Sequence, residues 1–116
     1  MEKNKIKIYI FKELSNLKFK KETKGFRYLV DAIYLTILDD ELIENLTQKL
    51  YKKIANHYEI ENSKRIKWCI EETINSMYRN TKQYKINQYF NLENNEKPTP
   101  KFVIYTIACK YLNAHI

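Results

Sequence analysis

A single glycine, Gly25, and two prolines, Pro98 and Pro100, are all the strong backbone punctuation in this chain of 116 residues. Sandwiches and barrels need such residues at nearly every tight turn, whereas helices joined by short polar connections do not. With 44% hydrophobic residues there is material for one modest core, and the length suits one domain over residues 1–116. The expectation is an all-α fold, a compact bundle of five to six helices containing a helix-turn-helix.

The apolar pattern places the helices. "KIKIYIF" alternates as a strand would, but "IYIFKELSNL" sets Ile8, Phe11, Leu14 and Leu17 at helical spacing. A basic N-terminal helix and linker over 1–24 is therefore expected, the linker "KFKKETKG" closing at Gly25. From Phe26 to Leu38 the sequence is apolar nearly all round, as in a helix at the centre of a bundle. "DDELIENLTQKLYKKIANHY" opens with Asp39 and Asp40 as caps, carries Leu42, Ile43, Leu46, Leu50, Ile54 and Tyr58 down one side, and has room for a break near Asn45 or Thr47. After the polar "EIENS", Asn62 or Ser63 caps a helix that starts near Lys64 and runs to about Asn80. A short helix follows with Tyr84, Ile86 and Tyr89 or Phe90 inward. The last helix, within 99–113, has Thr99 as its cap and Pro100 at its first position, where the missing N–H is no loss.

Charge is distributed unevenly. The net charge is +7, suited to a polyanionic partner, although the abundance of Lys, Asn, Ile and Tyr also fits an AT-rich coding sequence. Residues 1–27 are strongly basic, residues 28–48 carry only the acids Asp31, Asp39, Asp40, Glu41 and Glu44, and residues 49–67 are basic again. Cys69 and Cys109 have no partner at metal-ligand spacing and sit among apolar neighbours, so buried free thiols in a reducing compartment are expected. No apolar run reaches the roughly 18 residues of a membrane span, and the N-terminal apolar stretch, broken by Lys7, is too short for a signal peptide.

Function concentrates in residues 49–80. A helix-turn-helix needs a small residue in its first helix, a short turn and an apolar stripe seating the second helix. Ala55 is small, and Ile66, Cys69, Ile70, Thr73, Ile74 and Met77 form one stripe. The opposite face carries Lys64, Arg65, Trp68, Glu71, Glu72, Asn75 and Arg79, with Lys67 at its edge. Arg65, Lys67 and Trp68 are the candidate base-reading residues of bound double-stranded DNA, and Lys49, Lys52, Lys53, Ser63 and Lys64 the candidate phosphate contacts. Three fates are open to Trp68: a contact with DNA, burial against a protein partner, or cover beneath the N-terminal segment. Glu71 and Glu72 repel phosphates, which argues for a narrow footprint.

"KGFRYLVDAI", "KLYKKIANHYEIENSKRIKWCI" and "KPTPKFVIYTIACKYL", in that order and spacing, resemble the C-terminal DNA-binding domain of stage zero sporulation protein A, the response regulator that starts endospore formation. The resemblance covers about residues 11–113. It implies a six-helix all-α domain whose third and fourth helices form the helix-turn-helix, binding a short DNA box, often as tandem copies. Where the family's recognition helix reads Ser-Arg-Val-Glu-Arg-Ala-Ile, Arg65 matches the first arginine, Ile66 the valine, and Cys69 and Ile70 the Ala-Ile pair. Lys67 stands in place of the glutamate and Trp68 in place of the second arginine. Glu71 and Glu72 replace basic residues, and the turn is one residue longer. Ahead of "KG", where the family has glycine and proline, this sequence has Lys18 and Lys20. No receiver-sized segment precedes the domain, so a stand-alone effector, free of control by a fused receiver, is the expectation.

The reading that follows is a sequence-specific DNA-binding transcription regulator, acting in the cytoplasm at the nucleoid, with homodimeric or tandem binding on DNA open. The alternative is a protein-interaction module of the same fold that modulates a sporulation regulator. No catalytic residue, metal site or cofactor is expected: there is no phosphate-cradling glycine loop, and His57 and His115 have no nucleophile or ligand partner in the pattern.

Overall fold

The computed structural model describes residues 2–115. Six α-helices occur among them: α1 (Glu2–Leu14), α2 (Lys24–Leu38), α3 (Lys52–His57), α4 (Ser63–Asn80), α5 (Gln83–Phe90) and α6 (Pro100–Ala114). A 3-10 turn (Asp40–Asn45) and a π-helical turn (Leu46–Tyr51) lead into α3. The fold is all-α, with no strand among the described residues.

α2 is the central helix, packed by α1, α4 and α6. Its near-continuous apolar sequence lets it bury Phe26, Tyr28, Leu29, Val30, Ala32 and Ile33 on several sides. The hydroxyl of Thr36, also buried, donates to the Ala32 carbonyl at 2.8 Å and so carries no desolvation penalty. The helix starts earlier than its apolar pattern suggests. Thr23 is the cap, its Oγ1 accepting from the Phe26 N–H at 3.2 Å, and Gly25 lies in the first turn instead of closing a linker.

The reason is a close approach. A Cβ on Gly25 would stand 2.2 Å from the Cys69 carbonyl oxygen and 3.1 Å from Thr73 Cβ, so α2 rests here directly on the backbone of α4. The linker before it is pinned as well. Phe19 is buried with its ring centroid 5.9 Å from that of Phe26, and the Lys18 N–H donates to Thr81 Oγ1 at 2.9 Å just past the end of α4.

α1 is a helix, but turned from the face expected of it. Ile6, Ile10 and Leu14 are buried, whereas Ile8 is 54% exposed and Phe11 lies at the surface with one side of its ring on Phe26. The alternation "KIKIYI" puts isoleucine on both sides of a helix, so polar ties select the inward one. Lys7 Nζ lies 3.0 Å from Asp31 Oδ1 on α2, and the Tyr89 hydroxyl donates to Glu13 Oε1 at 2.7 Å.

Two further expectations are corrected. Tyr84 is 61% exposed; in the short α5 only Ile86 and Phe90 are buried, and Tyr84, two residues from Ile86, falls on the other side. Cys69 and Cys109 are free but only half-buried, each at the edge of its helix's apolar stripe. The break after Asp39 falls at Asn45, whose Oδ1 accepts from the Gln48 N–H at 3.1 Å to start the π-helical turn. Thr99 caps α6 with Pro100 in its first turn. Among the described residues, no helix is long and apolar enough to cross a membrane.

Gly25→Ala forces a methyl into the α2–α4 backbone contact and is expected to lower stability by about 3 kcal/mol, near the upper end for overpacking. Chemical denaturation of the two proteins measures it. A loss below about 0.5 kcal/mol would mean that the helices separate at no cost.

Candidate nucleic-acid interface

The helix-turn-helix is built from the π-helical turn, α3 and α4. α3 has only six residues, too few to be stable in isolation. Burial of Leu50, Tyr51, Ile54 and Ala55 against the body of the protein holds it, and Ala55, 2% exposed, is the small residue that lets α4 pass close by.

The turn is a left-handed helix cap. The Ile60 N–H bonds the Ala55 carbonyl at 2.8 Å, the Glu59 N–H bonds the Asn56 carbonyl at 3.2 Å, and Glu59 has φ 56°. This six-to-one and five-to-two pairing normally takes glycine at the position of Glu59, because a Cβ is disfavoured there. Ile60, partly buried, turns back onto the core and fixes the direction in which the chain leaves. Asn62 is the cap of α4, its Oδ1 accepting from the Lys64 N–H at 2.9 Å, which places Ser63 at the first helical position.

An ionic tie orients this unit on the rest of the fold. The Tyr58 hydroxyl donates to Asp31 Oδ2, and Asp31 also pairs with Lys7, so one carboxylate joins α1, α2 and the turn. Burial, then the hydrogen bond and charge of Asp31, push the Tyr58 phenol well above its ordinary value. Tyr89 is raised by the same two causes, with Glu13 in the place of Asp31. Tyr51 is raised by burial, and its hydroxyl has no partner among the described residues.

On α4 the apolar stripe faces inward as expected: Ile66, Ile70, Thr73, Ile74 and Met77 are buried. Lys64, Arg65, Lys67 and Trp68 are all exposed on its first two turns, and Trp68 is 62% exposed. The tryptophan is therefore not covered by the N-terminal segment, although it borders a groove shared with Lys20 and Lys24. Glu72 accepts a hydrogen bond from Asn75 Nδ2 at 3.3 Å, and Asn75 Oδ1 in turn accepts from Lys97 Nζ at 2.6 Å.

The other candidates divide. Lys52 and Ser63 line one polar cleft together with Gln48, Asn56 and Asn62, on the side where the first helix meets the start of α4. Lys49 is exposed on the π-helical turn. Lys53 belongs to a different cavity, with Lys3, Lys7, Tyr34 and His57, between α1 and α3. The single basic stretch "KLYKK" thus serves two surfaces, because a helix turns about 100° per residue. His57 is exposed, its ring edge-on to Tyr58. Lys24, not among the candidates in the sequence, borders the groove beside Trp68, and Thr73, expected on the apolar stripe, is buried there and lines it from below. Thr23, three positions before the apolar Phe26, was the signal for a helix start that places Lys24 in the first turn.

The family model described as sporulation initiation factor Spo0A C terminal matches residues 10–111. The chain belongs to that family. No curated protein matches it. The matched span begins inside α1 and ends inside α6, so it takes in the whole helix-turn-helix and the groove beside it.

Two outcomes follow for this Spo0A C-terminal fold. Glu59→Gly removes the strained Cβ at the cost of unfolded-state entropy, and is expected to raise stability by about 0.5 to 1 kcal/mol, read from the denaturation midpoint. The raised tyrosines set an alkaline limit. Their neutral forms are favoured in the folded state, so their contribution is complete below the ordinary tyrosine value near 10 and is lost as pH rises through the higher folded values. The denaturation midpoint should hold to about pH 9 and fall above about pH 10, less steeply in Tyr58→Phe.

Proposed function

We propose that this protein is a sequence-specific reader of double-stranded DNA that regulates transcription in the manner of the sporulation effector family. The observation that carries the reading is membership of that family combined with a helix-turn-helix whose second helix leaves Lys64, Arg65, Lys67 and Trp68 exposed together on its first two turns. In a bound helix-turn-helix those turns enter the major groove. Arg65 then pairs bidentately with guanine, Lys67 contacts a second base edge, and Trp68 lies against a thymine methyl or a sugar. Lys64, Lys52, Lys49 and the Ser63 hydroxyl hold backbone phosphates near the start of α4; Lys53, on another surface, holds one only where the DNA reaches past α3. Such a protein acts at the nucleoid in the cytoplasm, and tandem or dimeric binding follows the family's use of repeated boxes.

A second reading has its own support. An exposed tryptophan beside Glu71 and Glu72 is also the pattern of a protein-binding hot spot, with a sporulation regulator as the partner.

Selection from random duplexes at near-physiological salt tests both, with wild type, Arg65→Ala and Trp68→Ala in parallel. DNA reading gives an enriched motif, and Arg65→Ala loses about 1 to 3 kcal/mol on it while relaxing one position. No motif from the folded wild type, with Trp68 fluorescence shifting on addition of the regulator but not of DNA, would establish the second reading in its place.

A further inference from the structure

Between the first turn of α2 and the outer face of α4 runs a groove of about 360 Å3. Lys20 and Lys24 stand on one side, Trp68 and Arg79 on the other, and the buried Gly25 and Thr73 form the floor. Glu72 is its one acid, against three cations, and it already accepts from Asn75.

Two observations point to an anion. Thr73, 5% exposed, lines the groove, and its Oγ1 has no hydrogen-bond partner among the described residues, which is rare for a buried hydroxyl. Beside it, the N–H groups of Lys24 and Gly25 lie in the first turn of a 15-residue helix, where no acceptor within the helix reaches them and the helix dipole favours negative charge. Thr23 accepts from the Phe26 N–H with its hydroxyl and from the Arg27 N–H with its carbonyl, which leaves those of Lys24 and Gly25. At residue 25 itself the α4 backbone packs against α2, so the amides open toward the groove only beside the Cys69 carbonyl and Thr73.

The shape selects among anions. An enclosed pocket buries most of a small ligand, whereas this groove is open along its length and shares Trp68 with the face that carries Lys64 and Arg65. We propose that the groove seats a backbone phosphate of the bound DNA strand that flanks the bases read by α4, between Lys20, Lys24 and Arg79 and over the α2 amides, with the adjoining deoxyribose against Trp68. The proposal rests on the DNA-reading assignment above, which it extends from the N-terminal turns of α4 to its far end.

The test is the salt dependence of affinity for the selected duplex, with wild type, Lys20→Gln/Lys24→Gln and Thr73→Val. All three altered side chains can be replaced without opening a cavity. Losing the seat should flatten the slope of log K against log salt by about 1 to 2 and weaken binding at near-physiological salt about tenfold. A methylphosphonate at one flanking phosphate should weaken the wild type and leave the double variant unaffected. An unchanged slope in the folded double variant overturns the proposal and leaves the Arg65 assignment standing. If the wild type prefers no sequence, the same flattening on arbitrary duplexes retains the phosphate seat and removes the base-reading role. Titration with inorganic phosphate and with a mononucleotide forms the other arm: saturation of Trp68 fluorescence by either at concentrations where duplex has no effect assigns the groove to a free anion and overturns the DNA source.

Discussion

The contact on which the rest depends is the meeting of α2 and α4 at Gly25. A backbone-to-backbone approach fixes both the distance between two helices and the rotation of each about its own axis, which side-chain packing alone leaves looser. Here it sets α4 with Cys69 and Thr73 against α2, and Trp68, roughly 140° around the helix from Thr73, is thereby turned outward. The same contact places the free amides of the α2 first turn beside Arg79 and Trp68. Position 25 therefore determines the core and the shape of the surface at once, and a side chain there would disturb both.

A second constraint holds the helix-turn-helix in register with that pair. α3 is short, it follows a π-helical turn, and its exit runs through a glutamate in a left-handed conformation, so local propensity contributes little to it. Its order comes from tertiary contacts: the wider π turn allows the consecutive residues Leu50 and Tyr51 both to be buried, and Asp31 ties the turn to α2 and α1 through Tyr58 and Lys7. The acids of residues 28–48, which in sequence look like one negative block, separate into this internal tie and an exposed cap at Asp39, whose Oδ1 accepts from the Glu41 N–H.

These particulars explain what was legible beforehand. Long apolar periodicity gave α2, α4 and α6, since 15 to 18 residues leave one way to bury the stripe. Caps at Asn62 and Thr99 were visible because their chemistry is local. The face of α1 was not, because isoleucines occupy both of its sides and the choice depends on Asp31 and Tyr89, distant in sequence. Nor was the role of Gly25: a lone glycine after a basic run reads as a turn, and only the position of the Cys69 carbonyl shows it to be a contact. The basic face of α4 followed from its wheel, whereas the groove beside it joins residues about fifty positions apart and could not.

The acidic residues of α4 look unsuited to a DNA reader, yet their order along the axis resolves the difficulty. Cations stand at Lys64, Arg65 and Lys67, acids at Glu71 and Glu72, and a cation again at Arg79. From Lys64 to Arg79 the helix rises about 22 Å, more than the roughly 12 Å width of the major groove. In the proposed placement, with the N-terminal turns of α4 in that groove, Lys64 meets a phosphate, and Arg65, Lys67 and Trp68 meet base edges with Glu71 and Glu72 following them. The far end at Arg79 returns to a phosphate. Carboxylates are repelled by phosphates and accepted by base edges, where cytosine presents an amino donor. Distributed in this way, the acids oppose a lengthwise placement along one strand, in which they would face phosphates, and leave a crossing placement unpenalised. In the proposed complex they would contribute orientation in place of affinity, and the proposed phosphate seat at Arg79, Lys20 and Lys24, the last two on the linker and first turn of a different helix, would offset the lost attraction at the far end.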